Sequence, residues 1–363
     1  MTRIALVGAG GFVGSRMLEM AALGHPALSG AELVPIIRQA RGIARNSKLG
    51  LSSFVPIAVP DVRSLARAFD GCSMIVNLTM GDNSRILPDV QQMHEACRQA
   101  GVPAFLHVSS AEVFGRCDIS GLTDDSPWLR GHWMPYARAK GEAEDWLRAQ
   151  SGGPRVVVLR PGLVWGPRSP WVSGPAETLL AGTAWQIDGG RWACNLCHVD
   201  NLAFAIIAVG RSVAMTPGFY NVGDPDRPTW AEYWAALARE MGLDQPMVDL
   251  PETAFHESLM SRLSSLKDSV FARALKKRLH SATKERIKSR LADFRAFCSP
   301  RQKTPQVCVS KSLWWLQTTR YHLPISRFQL AYPSAVRLRF SEGMVATGRW
   351  LRFSGYGSGG MDV

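Results

Sequence analysis

From Arg3 the chain reads RIALVGAG, an apolar run ending in glycine, and continues as GFVGSRMLEMAAL, where apolar residues recur at helical spacing. A compact apolar run followed by an amphipathic one predicts a buried strand feeding a helix. The alternation then repeats. AELVPIIR, SMIVNLTMG, AFLHVSSAEVFG and RVVVLRPGLVWG read as further strands, with SLARAFDG and DVQQMHEACRQAG as helical stretches between them. Strands alternating with helices of this length predict an α/β chain with a doubly wound parallel sheet covered on both faces. Ligands bind at the carboxyl ends of the strands in such sheets.

The first strand-to-helix turn carries Gly8, Gly11 and Gly14, spaced G-x-x-G-x-x-G. Glycines at these places permit a tight turn, close backbone approach to a pyrophosphate and close helix–strand packing. The helix N-terminus that follows offers free N–H groups to phosphates.

Chemistry enters with YARAK, which places Tyr136 and Lys140 four residues apart ahead of the helix-forming stretch GEAEDWLRAQ. Positions i and i+4 share one helix face, so phenol and ammonium point into one cleft. A tyrosine ordinarily titrates near about 10, and a neighbouring ammonium favours the phenolate. Tyr136 is thereby predicted to be a usable acid/base. Ser110 closes the strand FLHVSS, where its hydroxyl can polarise a reacting oxygen.

Composition bounds these expectations. The chain has 363 residues, 46% hydrophobic and 20% charged, enough for one large or two modest globular domains. The N-terminus lacks the apolar h-region of a secretory signal, which predicts a cytoplasmic chain. No run reaches the length of a membrane-spanning helix. Seven scattered cysteines do not form the pattern of a disulfide framework. CNLCHVD, from Cys194 to Asp200, has the spacing of covalent haem attachment and of a zinc pair. It joins a strand-like stretch to an apolar helical run, and no second axial ligand accompanies it. Structural thiols, with neither haem nor metal, are the expectation.

Taken in order, GAGGFVG, VSSAEVFG, YARAK, LRPGLVWGP, CHVDNLAFAI and FYNVGD resemble the extended short-chain dehydrogenase/reductase family, also called the NAD-dependent epimerase/dehydratase family. The resemblance implies a Rossmann domain over residues 1–165, with 193–223 returning to it. It implies a smaller C-terminal substrate-binding domain from 166–192 and 224–363. Ser110, Tyr136 and Lys140 would be the catalytic triad, Lys140 also binding the nicotinamide ribose. The cofactor would be held by Gly8, Gly11, Phe12, Val13 and Gly14, by Asp61 and Val62 at the adenine, by Leu78 and Thr79, and by Pro161 and Val164 near the nicotinamide. CHVDNLAFA would be the return to the Rossmann domain, with His198 packed in a strand. A homodimer is the family's default.

Cofactor choice rests on the end of the second strand, where an acid accepts from a ribose 2′-OH and an arginine accommodates a 2′-phosphate. Arg38 stands there, with Arg41 and Arg45 nearby and no acid. NADP(H) is favoured and NAD(H) is the alternative. Sugar-nucleotide 4,6-dehydratases of the family carry an Asp-Glu pair after the catalytic hydroxyl, whereas Ala111 and Glu112 follow Ser110 here. Dehydration is disfavoured, which leaves hydride transfer at a carbinol/ketone carbon, as an epimerase or a reductase. Family frequency points to a nucleotide sugar or related glycan precursor. A lipid-like or sterol-like ketone or alcohol is the alternative, and a silent NADP(H) sensor or scaffold is the reading from another class.

Residues 256–303 hold thirteen Lys and Arg against four Asp and Glu, so most of the net charge of +12 sits there. Apolar residues at helical spacing predict a basic helical insertion. Such a helix suits an anionic surface, and Trp314 and Trp315 extend a possible peripheral membrane contact over 256–315, at the inner face of the membrane. The alternative is a solvated insertion packed on the substrate domain. No recognition motif accompanies the charge, so nucleic acid is not expected.

Overall fold

The computed structural model describes residues 2–37, 47, 55–56, 61–116, 121–244, 247–255 and 307–357. The chain runs β1 (Thr2–Val7), α1 (Phe12–Ala22), β2 (Ala31–Ile37), β3 (Val55–Pro56), α2 (Val62–Phe69), β4 (Met74–Asn77), α3 (Ile86–Gln99) and β5 (Ala104–Val108). It continues through α4 (Pro135–Arg148), β6 (Arg155–Pro161), β7 (Leu163–Trp165), α5 (Pro170–Leu180), β8 (Trp185–Ile187), β9 (Leu196–His198), α6 (Val199–Arg211) and β10 (Gly218–Val222). The remainder is α7 (Trp230–Glu240), β11 (Val248–Leu250), α8 (Lys311–Gln317), α9 (Ser326–Ala331) and α10 (Phe340–Phe353). Arg38 and the basic segment 256–303 lie outside the described residues.

Seven parallel strands form the central sheet in the order β10-β6-β5-β4-β1-β2-β3. The chain winds outward in both directions from β1 and β4, so a crevice opens where their carboxyl ends part. This is the doubly wound Rossmann architecture. Both faces are covered, which is why the strands read as continuous apolar runs. In β1, Ile4 and Leu6 join Met17, Leu18, Phe204 and Ile207 on one face. Ala5 and Val7 join Leu65, Phe69, Val90 and Leu147 on the other.

A second layer stands over the strand ends. Two short pairs, β7–β9 and β8–β11, and the helices α5, α7, α8 and α10 enclose a core that includes Trp165, Tyr233, Trp234, Leu237 and Leu351. The stretch CHVDNLAFA spans β9 and the start of α6, where Arg16 of α1 grips Asp200 with Nε and Nη2 at 2.7 and 2.9 Å. His198 is buried, caps α6 through Nδ1 and meets Trp165 edge-on. Past the second layer the chain returns to the sheet a further time, where Phe328 and Tyr332 pack on Tyr220 of β10.

Trp314 and Trp315 use partners within the protein. The Trp314 indole donates to the Glu252 carbonyl at 2.8 Å and stacks on Phe255, while Trp315 packs against His132 and Trp133. Both indoles are half-buried, each with ring partners in the chain. Among the described residues no helix is long and apolar enough to cross a membrane.

Candidate active site

The glycine turn has the geometry its spacing predicts. Gly8 adopts φ +90°, and a Cβ on it would lie 3.1 Å from the Leu78 carbonyl carbon and 3.2 Å from Thr79 N. A Cβ on Gly14 would lie 2.6 Å from Ala9 Cα, so only glycine lets α1 approach β1 this closely. Gly11 begins α1 without a side-chain cap. The first amides of the helix are left to a ligand, as phosphate sites require. The turn lines a cavity of about 770 Å³ that continues under the second layer. Space, a glycine cradle and uncapped amides together fit a dinucleotide.

Ser110, Tyr136 and Lys140 line the same cavity. Ser110 follows β5 and caps a short helical turn, Ala111–Phe114, accepting from Glu112 N at 3.1 Å. Tyr136 lies in the first turn of α4, one turn ahead of Lys140. The Ser110 hydroxyl is near enough to Tyr136 to favour its phenolate. Lys140 is buried, with Nζ donating to the Val108 carbonyl at 2.7 Å and standing 5.9 Å from the Tyr136 ring centre.

The titration of Tyr136 differs from the sequence expectation. Burial pushes the phenol up to about 12, against the influence of the Ser110 hydroxyl and with a contribution from the Glu112 charge. Burial also lowers Lys140 to about 8, opposed by Glu144 one turn on. Desolvation disfavours both charged forms and is the largest influence on each.

Behind these residues lies a closed polar network. Glu144 accepts from Arg160 Nε at 3.0 Å and from Ser109 Oγ at 2.5 Å, and Arg160 Nη1 donates to the Asp124 carbonyl at 2.7 Å. Arg160 also lies between the Phe114 and Phe219 rings. It therefore braces α4 against β6, while Pro161 next to it lines the cavity.

Phe12, Val13, Leu78, Thr79 and Val164 line the cavity as well. Thr79 is fixed by Asn77, whose Oδ1 accepts from its N–H and its hydroxyl. Asp61 and Val62 are not among the lining residues. Asp61 caps α2 in a reciprocal box with Ser64, accepting its N–H at 2.8 Å. Sequence reasoning passed over Glu112 as a lining residue, together with Met134, Trp171, Trp230, Leu316 and Tyr321. For Glu112 a signal existed in its place two residues after Ser110. The others come from distant segments with no shared motif.

Cys194 and Cys197 are buried and free, and burial pushes both thiols up. Among the described residues no cluster of His, Cys, Asp and Glu could hold a metal ion.

Three comparisons bear on this site. A 2-alkyl-3-oxoalkanoate reductase of Stenotrophomonas maltophilia (strain K279a) is 30% identical over 141 residues, 36% of this chain. The match spans 43% of that relative's length, less than half of it. Among solved structures, dTDP-glucose 4,6-dehydratase of Bacillus anthracis str. Ames, in complex with NAD, superimposes with a TM-score of 0.66 at 14% identity, covering 98% of this chain and 99% of its own. UDP-N-acetylglucosamine 4-epimerase of Methanobrevibacter ruminantium M1, in complex with UDP-N-acetylmuramic acid, gives 0.66 at 15% identity, over 97% and 99%. At such identities the two structures establish the fold alone. The family model for the NAD dependent epimerase/dehydratase family matches residues 4–223, which takes in the glycine turn, Ser110, Tyr136 and Lys140, and the chain belongs to that family.

Proposed function

We propose that this protein transfers a hydride between a nicotinamide cofactor and a carbinol/ketone carbon, with Tyr136 as the acid/base. The observation that carries the reading is that Ser110, Tyr136 and Lys140 line one cavity with the glycine turn. A bound nicotinamide supplies the hydride donor or acceptor; the remaining steps fall to this chain. The glycine turn and the first amides of α1 hold the phosphates. Ser110 and Tyr136 both address the substrate oxygen. Tyr136, pushed up to about 12, is protonated at neutral pH and gives its proton to the alkoxide oxygen as a ketone is reduced. In the oxidative direction the phenolate takes that proton back, and the Lys140 ammonium stabilises the charge. Ala111 stands where a dehydratase carries its first acid, which supports hydride transfer without elimination.

Two substrate classes follow from different observations. Nucleotide sugars are the ligands named for several structural neighbours, such as the UDP-glucose of the Thermotoga maritima UDP-glucose 4-epimerase. An apolar ketone or alcohol is supported by the reductase relative and by the apolar cavity walls. Arg38 favours NADP(H) from sequence.

The test begins with the purified protein denatured and its released nucleotide identified, alongside NADPH and NADH titrations. Retained NAD near one per chain indicates an epimerase, and an empty site preferring NADPH indicates a reductase. Tyr136→Phe is expected to lower turnover by about a hundred- to ten-thousand-fold with nucleotide affinity nearly intact. Undiminished turnover in that variant refutes the mechanism.

A further inference from the structure

Strands covered on both faces are apolar as a rule, and β4 and β5 depart from it near their carboxyl ends. Asn77 and His107 stand opposite each other in the β4–β5 register, and solvent reaches neither side chain. An apolar pair would fill the same place without burying polar atoms.

The hydrogen bonds of this pair run in one direction. Thr79 N, which can only donate, lies 2.9 Å from Asn77 Oδ1, and that contact fixes which way the amide faces. Nδ2 is then the atom turned to His107 Nδ1, at 3.2 Å, so Nδ1 accepts and the ring carries its proton on Nε2. Burial and the Lys140 charge hold the imidazole well below its ordinary titration range, which keeps it neutral. Nε2 is buried with no partner among the described residues. A doubly protonated ring, or the other tautomer, would set a donor against the amide nitrogen and undo the arrangement.

The direction carries on to the cavity. Thr79 Oγ1 lies 2.7 Å from Asn77 Oδ1, an atom that only accepts, so the hydroxyl proton is committed there. Thr79 lines the cavity, and a Cβ on Gly8 would lie 3.2 Å from its backbone nitrogen, which sets the residue against the glycine turn. To a ligand within reach its hydroxyl oxygen offers lone pairs alone. Ionised phosphate oxygens have no proton to give, whereas the riboses on either side of a pyrophosphate carry hydroxyls that do.

We propose that His107 is a positioning residue for the cofactor: acting through Asn77, it fixes Thr79 Oγ1 as the acceptor for a ribose hydroxyl. The proposal rests on the nicotinamide-cofactor reading and deepens it by adding Asn77 and His107 to that site.

The experiment is calorimetric titration of the full chain with NADPH and with NADH, scored on whichever binds the wild type more tightly. Thr79→Val, isosteric and at a half-buried position, removes the lone pairs and is expected to weaken that cofactor about three- to tenfold, the range of one net hydrogen bond. Thr79→Ser keeps the hydroxyl and is expected to bring back most of the affinity. His107→Leu, which cannot accept from Asn77, is expected to weaken binding comparably, while His107→Gln, whose side-chain carbonyl can accept, stays within about twofold of the wild type. In the Thr79→Val background His107→Leu is expected to cost less than about twofold more, because the group it positions is gone, whereas a purely structural role gives additive losses. In the wild type, nitrogen NMR of the isotope-labelled His107 ring, assigned through its own backbone signals, is expected to show the neutral form protonated at Nε2 at neutral pH. The proposal alone is overturned if Thr79→Val binds as tightly as the wild type, if the two losses add in full, or if the ring is protonated at Nδ1. The Thr79 and NMR measurements stand whether or not the His107 variants fold. A wild type that binds neither nucleotide overturns the cofactor reading and the proposal together.

Discussion

Glu144 and Arg160 form an ion pair that solvent does not reach, with Arg160 Nε 3.0 Å from each carboxylate oxygen. The pair joins the middle of α4 to the end of β6, so the helix bearing Tyr136 and Lys140 is locked to the sheet. Removing one member of a buried pair leaves the other charge uncompensated, at about 3–5 kcal/mol. Glu144→Ala is expected to destabilise by that order, seen as a lowered urea midpoint. A loss no larger than that of an exposed substitution would show that Arg160 finds another partner.

Lys140 gives a pH-dependent prediction. Its ammonium is lowered by burial to about 8 from the ordinary 10.5. A lysine lowered on folding binds its proton more weakly in the native state. The resulting penalty is complete below about pH 8 and is relieved as pH rises toward 10.5. Lys140→Met is therefore expected to be more stable than the wild type near neutrality, with an advantage that shrinks across this interval. Urea midpoints of the two proteins against pH measure it, and an advantage independent of pH would rule out this origin.

The glycine turn separates close packing from backbone freedom. A methyl group on Gly14 would meet Ala9 Cα at 2.6 Å and the Gly8 carbonyl oxygen at 2.7 Å. Gly14→Ala is expected to cost about 1–3 kcal/mol through overpacking and to weaken nucleotide binding as α1 moves off β1. Gly24, at φ +64° with open space around its Cα, is the comparison. Gly24→Ala should cost only backbone strain and leave nucleotide affinity unchanged. Equal losses of affinity in calorimetric titrations would remove the packing explanation.

Thiol chemistry tests the reading of CNLCHVD. Cys194 and Cys197 are expected to resist an aromatic disulfide reagent in the native protein and to react on unfolding, since burial holds both as thiols. Exposed Cys308 should react at once. Rapid native labelling of Cys194 or Cys197, located by peptide mass mapping, would contradict their burial.

What the sequence determined by itself was local. The alternation of apolar and amphipathic runs specified the parallel sheet, because strands buried on both faces must be apolar throughout. The glycine spacing specified the turn, and i, i+4 placement brought Tyr136 and Lys140 to one face of α4. Ser110 was legible because a strand end fixes where its hydroxyl stands. The tertiary structure alone decided what depends on distant segments meeting. It set His132 against Glu112, placed Trp171 and Trp230 on one wall, and enclosed Glu144 with Arg160. It also reversed the expected direction for Tyr136, since the spacing to Lys140 reveals an ammonium nearby but not the depth of burial. For Asp61 the structure adds that its side chain caps α2, which the sequence reading did not include.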